Sequence, residues 1–188
     1  SDYPAGSTIK NHLNYVGISH VRTNNVMNTH DGGYSKGITT SQLLGLNGIK
    51  QTFTIPKPSH DAGKTPNDSQ IQAAINGRLN YISDNNLKNS TESIEIFNEY
   101  DNAEVATWPS VLARGQHYLY TQRGRLNSNA KILGFALVGY KLGNDAAQIQ
   151  YADDRHLIST YFNQGNLHTY YGVNMPESAY PTAIPGQT

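Results

Sequence analysis

An α/β chain, with parallel strands and helices packed outside them, is the fold class this sequence predicts. Short β-type runs alternate with stretches of helical periodicity along its 188 residues. Successive β-type runs start roughly 30 to 45 residues apart, the spacing of βα units, which need about 30 or more. No internal repeat or low-complexity tract interrupts that alternation, so one domain over residues 1–188 is expected.

Taken in order, Ile18 to Arg22 reads as a first strand, followed by the Gly-rich loop Asp31-Gly32-Gly33. Ile49 to Ile55 is a second, rich in β-branched residues and closed by Pro56 and Pro58. Ile71, Ala74, Ile75, Leu79 and Ile82 fall on one face of a helix that Asp68 or Ser69 is placed to cap. Ile94 to Phe97 is a third strand. Trp108, Leu112 and Leu119 then recur at helical spacing, with Pro109 suited to a first turn. Ile132 to Val138 makes a fourth strand and Asn166 to Tyr170 a fifth.

Charge is balanced at 14 basic and 14 acidic side chains, so no electrostatic footprint for nucleic acid or an anionic membrane is present. No apolar run approaches the ~20 residues of a membrane span. Cysteine is absent, which removes disulfides, thiolate metal sites and thiol catalysis. The surplus of Asn, Gly, Ser, Thr and Tyr suits a surface that handles carbohydrate, or simply a polar solvated one. The opening Ser1-Asp2-Tyr3-Pro4 suits a processed secreted protein or an artificially trimmed chain, and a secreted or extracellular setting is the expectation. Asn67-Asp68-Ser69 and Asn89-Ser90-Thr91 match the N-glycosylation pattern, which short sequences often do by chance.

In parallel α/β folds active sites gather at the C-terminal ends of strands. Those positions carry Arg22 with Thr23 to Asn25, then Lys57, Ser59 and His60, and then Asn98, Glu99, Tyr100 and Asp101. Gly139 and Tyr140 follow, and His168, Thr169 and Tyr170 end the series. Ser59 and Tyr140 read best as ordinary loop residues. Glu99 stands out because it follows the run Ile94-Glu95-Ile96-Phe97, at the mouth of the sheet and beside Asp101. A partly desolvated carboxyl next to a second one is the kind of group a general acid uses. The competing reading pairs Glu99 with a surface lysine.

Ile94 to Asp101, IEIFNEYD, resembles the strand-four signature of the large clan of retaining (β/α)8 glycoside hydrolases. In that clan an Asn-Glu pair carries the acid/base glutamate, often within Asn-Glu-Pro-Asp, and Tyr100 stands here in place of the proline. Gly17 to Arg22 is similar to its strand two, and Gly48-Ile49-Lys50 to its entry into strand three. Leu133-Gly134 is similar to its strand five, and Asn166 to Tyr170 resembles its strand-six His-x-Tyr. The resemblance runs from about residue 12 to about residue 176 and implies a parallel, TIM-barrel-like fold. It implies Glu99 as general acid/base and Asn98 as the hydrogen-bond partner of the sugar 2-hydroxyl. It further implies that Arg22 supports the partner carboxylate, that His168 and Tyr170 position the sugar, and that Tyr100 and Asp101 line the substrate site. No cofactor is called for. Trp108 is a candidate stacking platform, although its helical spacing favours a core role.

A retaining enzyme needs a second carboxylate about 5–5.5 Å from the first. No further strand-like run ending in Glu follows Tyr170, and strand one of the clan has no counterpart, so the barrel is expected to be incomplete, resembling strands two to six. Three explanations follow: a piece of a longer enzyme, a partial barrel recruiting Asp31, Asp61, Asp101 or Glu177, or a glycan-binding descendant without activity. Open strand edges make self-association the expectation for the last two. Rival chemistries fare worse. The seven histidines show no i, i+4 pairing for zinc, no G-x-S-x-G elbow is present, and Gly32-Gly33 fits neither nucleotide fingerprint.

Overall fold

The computed structural model describes residues 6–23, 40–61, 63–102, 106–137, 148–149, 152–153 and 157–166. The expected fold class is present: an all-parallel sheet flanked by helices. Strands β1 (His20–Thr23), β2 (Lys50–Thr54), β3 (Thr91–Glu95) and β4 (Lys131–Ile132) lie side by side in chain order, every neighbouring pair parallel. A parallel bridge between Leu133 and Gln164 carries the progression one segment further. Each connection therefore steps to the same side of the sheet, and all C-terminal strand ends among the described residues share one edge.

Helices α1 (Gly6–Tyr15) and α2 (Thr40–Leu46) precede β1 and β2. Helix α3 (Asp68–Asp84) links β2 to β3, and α4 (Trp108–Thr121) links β3 to β4. The start of α3 is set by a reciprocal capping box between Asn67 and Gln70, not by the expected Asp68 or Ser69. Asn67 prevails because a Gln stands three residues on to return the bond. The same helix buries Ile71, Ile75, Leu79 and Ile82 against the sheet, as its spacing predicts. Pro109 occupies the first turn of α4, where its missing N–H removes no helical bond. Trp108 is half-buried and packs on the core, the role its spacing favours.

Alternate residues along the strands separate two faces. Phe53, Ile55, Ile94, Ile96 and Ile132 join the helix residues in one buried cluster. Burying side chains of this size stabilises by about 1.5–3 kcal/mol each. Within it Arg78 of α3 lays its guanidinium over the rings of Phe53 and Tyr81, at 5.9 and 5.4 Å from their centroids. Thr52, Thr54, Ser93 and Glu95 fall on the other face, where the Thr52 and Ser93 hydroxyls meet at 2.6 Å. Gln116 reaches from α4 to the carbonyls of Leu133 and Tyr161, tying that helix to the bridge residue after β4 and to the turn that precedes Gln164.

The first two strands lie within one or two residues of expectation, and the next two differ more. The third strand covers Thr91–Glu95, not Ile94 to Phe97, so Asn98-Glu99 follows the strand at a distance and does not end it. Phe97 N–H still donates to Ile55 O at 3.1 Å, but the left-handed backbone of Phe97 (φ 36°) ends the extended run. The fourth strand is Lys131–Ile132, shorter than the expected Ile132 to Val138, and continues only as the Leu133 bridge. Of the expected fifth strand only Asn166 is described. No described helix is long and apolar enough to cross a membrane.

Candidate functional site

The shared edge brings Arg22 from the end of β1, Thr54 from the end of β2 and Glu95 from the end of β3 together. Glu95 is the centre of the cluster, and its side chain is only 1% exposed. Oε1 accepts from Arg22 Nε at 2.7 Å, from Thr54 Oγ1 at 2.7 Å and, at very short range, from Arg22 Nη2. Oε2 accepts from Asn166 Nδ2 at 2.5 Å. A buried carboxylate is tolerable only when paired and fully hydrogen-bonded. Here one cation and two neutral donors supply that.

Arg22 is the hinge between this buried group and the open edge. Its Nη2 also donates to Asn98 Oδ1 at 2.6 Å, and its side chain is 38% exposed. The guanidinium has five N–H donors. Nε and Nη2 are engaged as described, whereas Nη1 has no hydrogen-bond partner among the described residues. Arg22 takes the Asn98 carbonyl, and the Asn98 NH2 has no hydrogen-bond partner among the described residues, which leaves it as the end of the amide to meet a ligand.

The turn that carries Asn98 and Glu99 is held in an unusual backbone. Phe97 (φ 36°) and Glu99 (φ 51°) are both left-handed, a conformation that costs of order 1–3 kcal/mol at a non-glycine residue. Neighbours over-determine it. The Phe97 ring is fully buried, tilted against Tyr100 at 5.7 Å between centroids. It also lies so near Gly115 of α4 that a Cβ there would come within 2.8 Å. On the far side Glu99 N–H donates to Ala136 O at 2.8 Å. Asn98 and Glu99 emerge from this turn half-buried.

The remaining expected site residues divide. Tyr100 is wholly buried, its ring tilted against that of Phe97. Burial pushes its hydroxyl above the usual tyrosine range, with Arg114 pulling the other way. Asp101 is half-buried, and Asp61 pairs with Lys64 at 2.9 Å on the surface. Ser59 is exposed, as an ordinary loop residue would be. His168, Tyr170, Tyr140, Asp31 and Glu177 lie outside the described residues. Among the described residues no group of three or more His, Asp or Glu side chains is placed to hold a metal. A cavity of about 460 Å³ opens at the opposite, N-terminal end of the strands, beside Lys50, Asn89 and Ser90, and contains none of the cluster.

Glu95 and Thr54 are the members that reading along the chain passes over. The signal for Glu95 was there: a lone charge alternating with Ile94 and Ile96 must point away from the face they bury. No family model, curated protein or solved structure matches this chain.

Proposed function

We propose that this chain hydrolyses O-glycosidic bonds in a polysaccharide, oligosaccharide or glycoside, with Glu99 as general acid/base. The observation that carries the reading is the Arg22–Asn98 hydrogen bond, which joins two residues 76 positions apart at one sheet edge. The resemblance to retaining glycoside hydrolases implies a place for both in one site, Arg22 beside the second carboxylate and Asn98 on the sugar 2-hydroxyl. An incomplete TIM-barrel-like arrangement of the sheet belongs to the same proposal, supported by strands that follow one another in chain order without reversal.

In this reading Glu99 protonates the leaving glycosidic oxygen as the C–O bond breaks, while a second carboxylate bonds to the sugar carbon. Glu99 then takes a proton from the water that displaces that carboxylate. Asn98 donates its NH2 to the sugar 2-hydroxyl. Arg22 turns its Nη1 donors and positive charge towards the second carboxylate. Glu95 is not that carboxylate, because four hydrogen bonds and near-complete burial leave it no route to a sugar. His168 and Tyr170 complete the sugar contacts by resemblance, and a secreted setting accords with such a substrate.

The test is hydrolysis of a panel of aryl glycosides by wild type and Glu99→Gln. A general acid/base contributes about 10²–10⁴-fold, so the variant is expected to lose activity on that scale while its thermal unfolding is unchanged. Added azide, a nucleophile that needs no base, restores turnover of substrates with good leaving groups in Glu99→Ala. Equal and negligible hydrolysis by both proteins, with glycans still bound, replaces the enzyme by a glycan-binding module.

A further inference from the structure

Among the described residues every engaged side-chain N–H of Arg22 goes to Glu95 or to Asn98, and Glu95 is itself held by Thr54 and Asn166. We infer that Glu95 is a positioning residue, acting through Arg22 to set which end of the Asn98 amide faces the ligand. The inference rests on the glycoside-hydrolase reading for its kinetic consequence, but not for its geometry.

An asparagine amide has two ends of nearly equal size and opposite hydrogen-bonding character. With its oxygen on Arg22 it offers a donor to the ligand; rotated by half a turn it offers an acceptor. The guanidinium therefore selects the donor orientation, provided the guanidinium itself cannot turn. Arg22 sits on the outermost described strand of the sheet and is more than a third exposed, so its long side chain has many alternative rotamers. Holding it takes two points of attachment. Nε and Nη2 both reach Glu95 Oε1, which fixes the plane of the guanidinium and aims the second Nη2 hydrogen at Asn98. Thr54 and Asn166 in turn fix the carboxylate from either side. The relay runs from buried anchor to half-exposed cation to the amide that meets the sugar.

A residue that only stabilises the fold lowers turnover of all substrates alike when replaced. One that sets the Asn98 amide lowers turnover only where that amide has a partner. The experiment compares a 2-hydroxy aryl glycoside with its 2-deoxy counterpart in wild type, Glu95→Gln and Thr54→Val. The last loosens the carboxylate without touching Arg22 or Asn98, and keeps the test open if Glu95→Gln does not fold. A charge-assisted hydrogen bond is lost or misdirected, so kcat on the 2-hydroxy substrate is expected to fall on the order of ten- to a hundredfold in Glu95→Gln. The 2-deoxy substrate is expected to change by less than about threefold, since the bond at issue is absent from it. Thr54→Val is expected to show the same discrimination, more weakly. In parallel, the side-chain N–H resonances of Arg22 and Asn98 are followed by NMR, and both are expected to shift and exchange faster in each variant.

Equal losses on the two substrates overturn the inference and leave Glu95 a purely structural residue, while wild-type activity upholds the hydrolase reading. A wild type inactive on both substrates overturns the hydrolase reading instead, and the resonances then decide: if those of Asn98 are unmoved in both variants, the positioning role falls too. If they move, Glu95 orients the amide of a glycan-binding site.

Discussion

The two faces of the sheet are made by the same strands and differ in what each asks of its residues. Towards the helices, Phe53, Ile55, Ile94, Ile96 and Ile132 are interchangeable in kind, and each is held by many weak contacts. On the opposite face Thr54 and Glu95, each next in line to an apolar residue, are held by a few directed bonds that tolerate no change of donor or acceptor. An apolar face fails gradually with lost volume. A polar face fails when a single partner is removed. Stability and chemistry can thus be altered separately on one set of strands, except where a residue touches both faces.

Phe53→Ala is the strongest way to break that separation. Phe53 is fully buried, edge-on to Tyr81 and under Arg78. Its removal is expected to destabilise by about 3–5 kcal/mol in chemical denaturation. Turnover per folded molecule should stay at the wild-type value, and a parallel fall in both would show that the faces are not independent. Gly115→Ala tests the point where they meet. Its Cβ would press on the Phe97 ring at 2.8 Å, and that ring anchors the turn carrying Asn98 and Glu99. Overpacking of this kind costs about 1–3 kcal/mol, offset by about 1 kcal/mol of improved helix propensity. Activity is expected to drop by more than this modest net loss of stability explains, in assays run well below the unfolding temperature.

The smallest effect is expected from Tyr100→Phe. At neutral pH the change is close to neutral, because the Tyr100 hydroxyl is buried without a hydrogen-bond partner among the described residues. In alkali the two proteins diverge. Burial raises the hydroxyl's pKa above its ordinary value, so the folded state favours the neutral phenol. Its contribution is complete below the unfolded pKa of about 10 and is lost as pH rises through the higher folded value. Denaturation midpoints measured from about pH 9 to 12 should fall more steeply for wild type than for Tyr100→Phe. Identical profiles would mean that Tyr100 ionises as freely folded as unfolded.

Local patterns carried much of the fold. The β-branched run at Ile49 to Ile55 became β2, and the period of Ile71, Ile75, Leu79 and Ile82 became the buried stripe of α3. The third strand departs from its expected bounds because hydropathy marks Ile94 to Phe97, whereas strand pairing begins at the polar Thr91. Its end depends on the Phe97 ring wedged beside Gly115, a contact between distant residues that no local window contains. The site was half legible. Arg22, Asn98 and Glu99 follow from position after strands and from resemblance. Glu95 needed the alternation of strand faces, and its donors could be found only once the chain was folded.

The carboxylate of Glu95 also bears on how the chain reaches its structure. Its ligands come from Arg22, 73 residues earlier, and from Asn166, 71 residues later. Until both flanks have arrived, the central strand carries a charge that is expensive to withdraw from water. The sheet is therefore expected to close late and as a unit, since contacts of such long sequence separation form slowly. Cutting the chain on either side of β3 should leave two pieces that gain order only in each other's presence, with Glu95 as the point that registers their union.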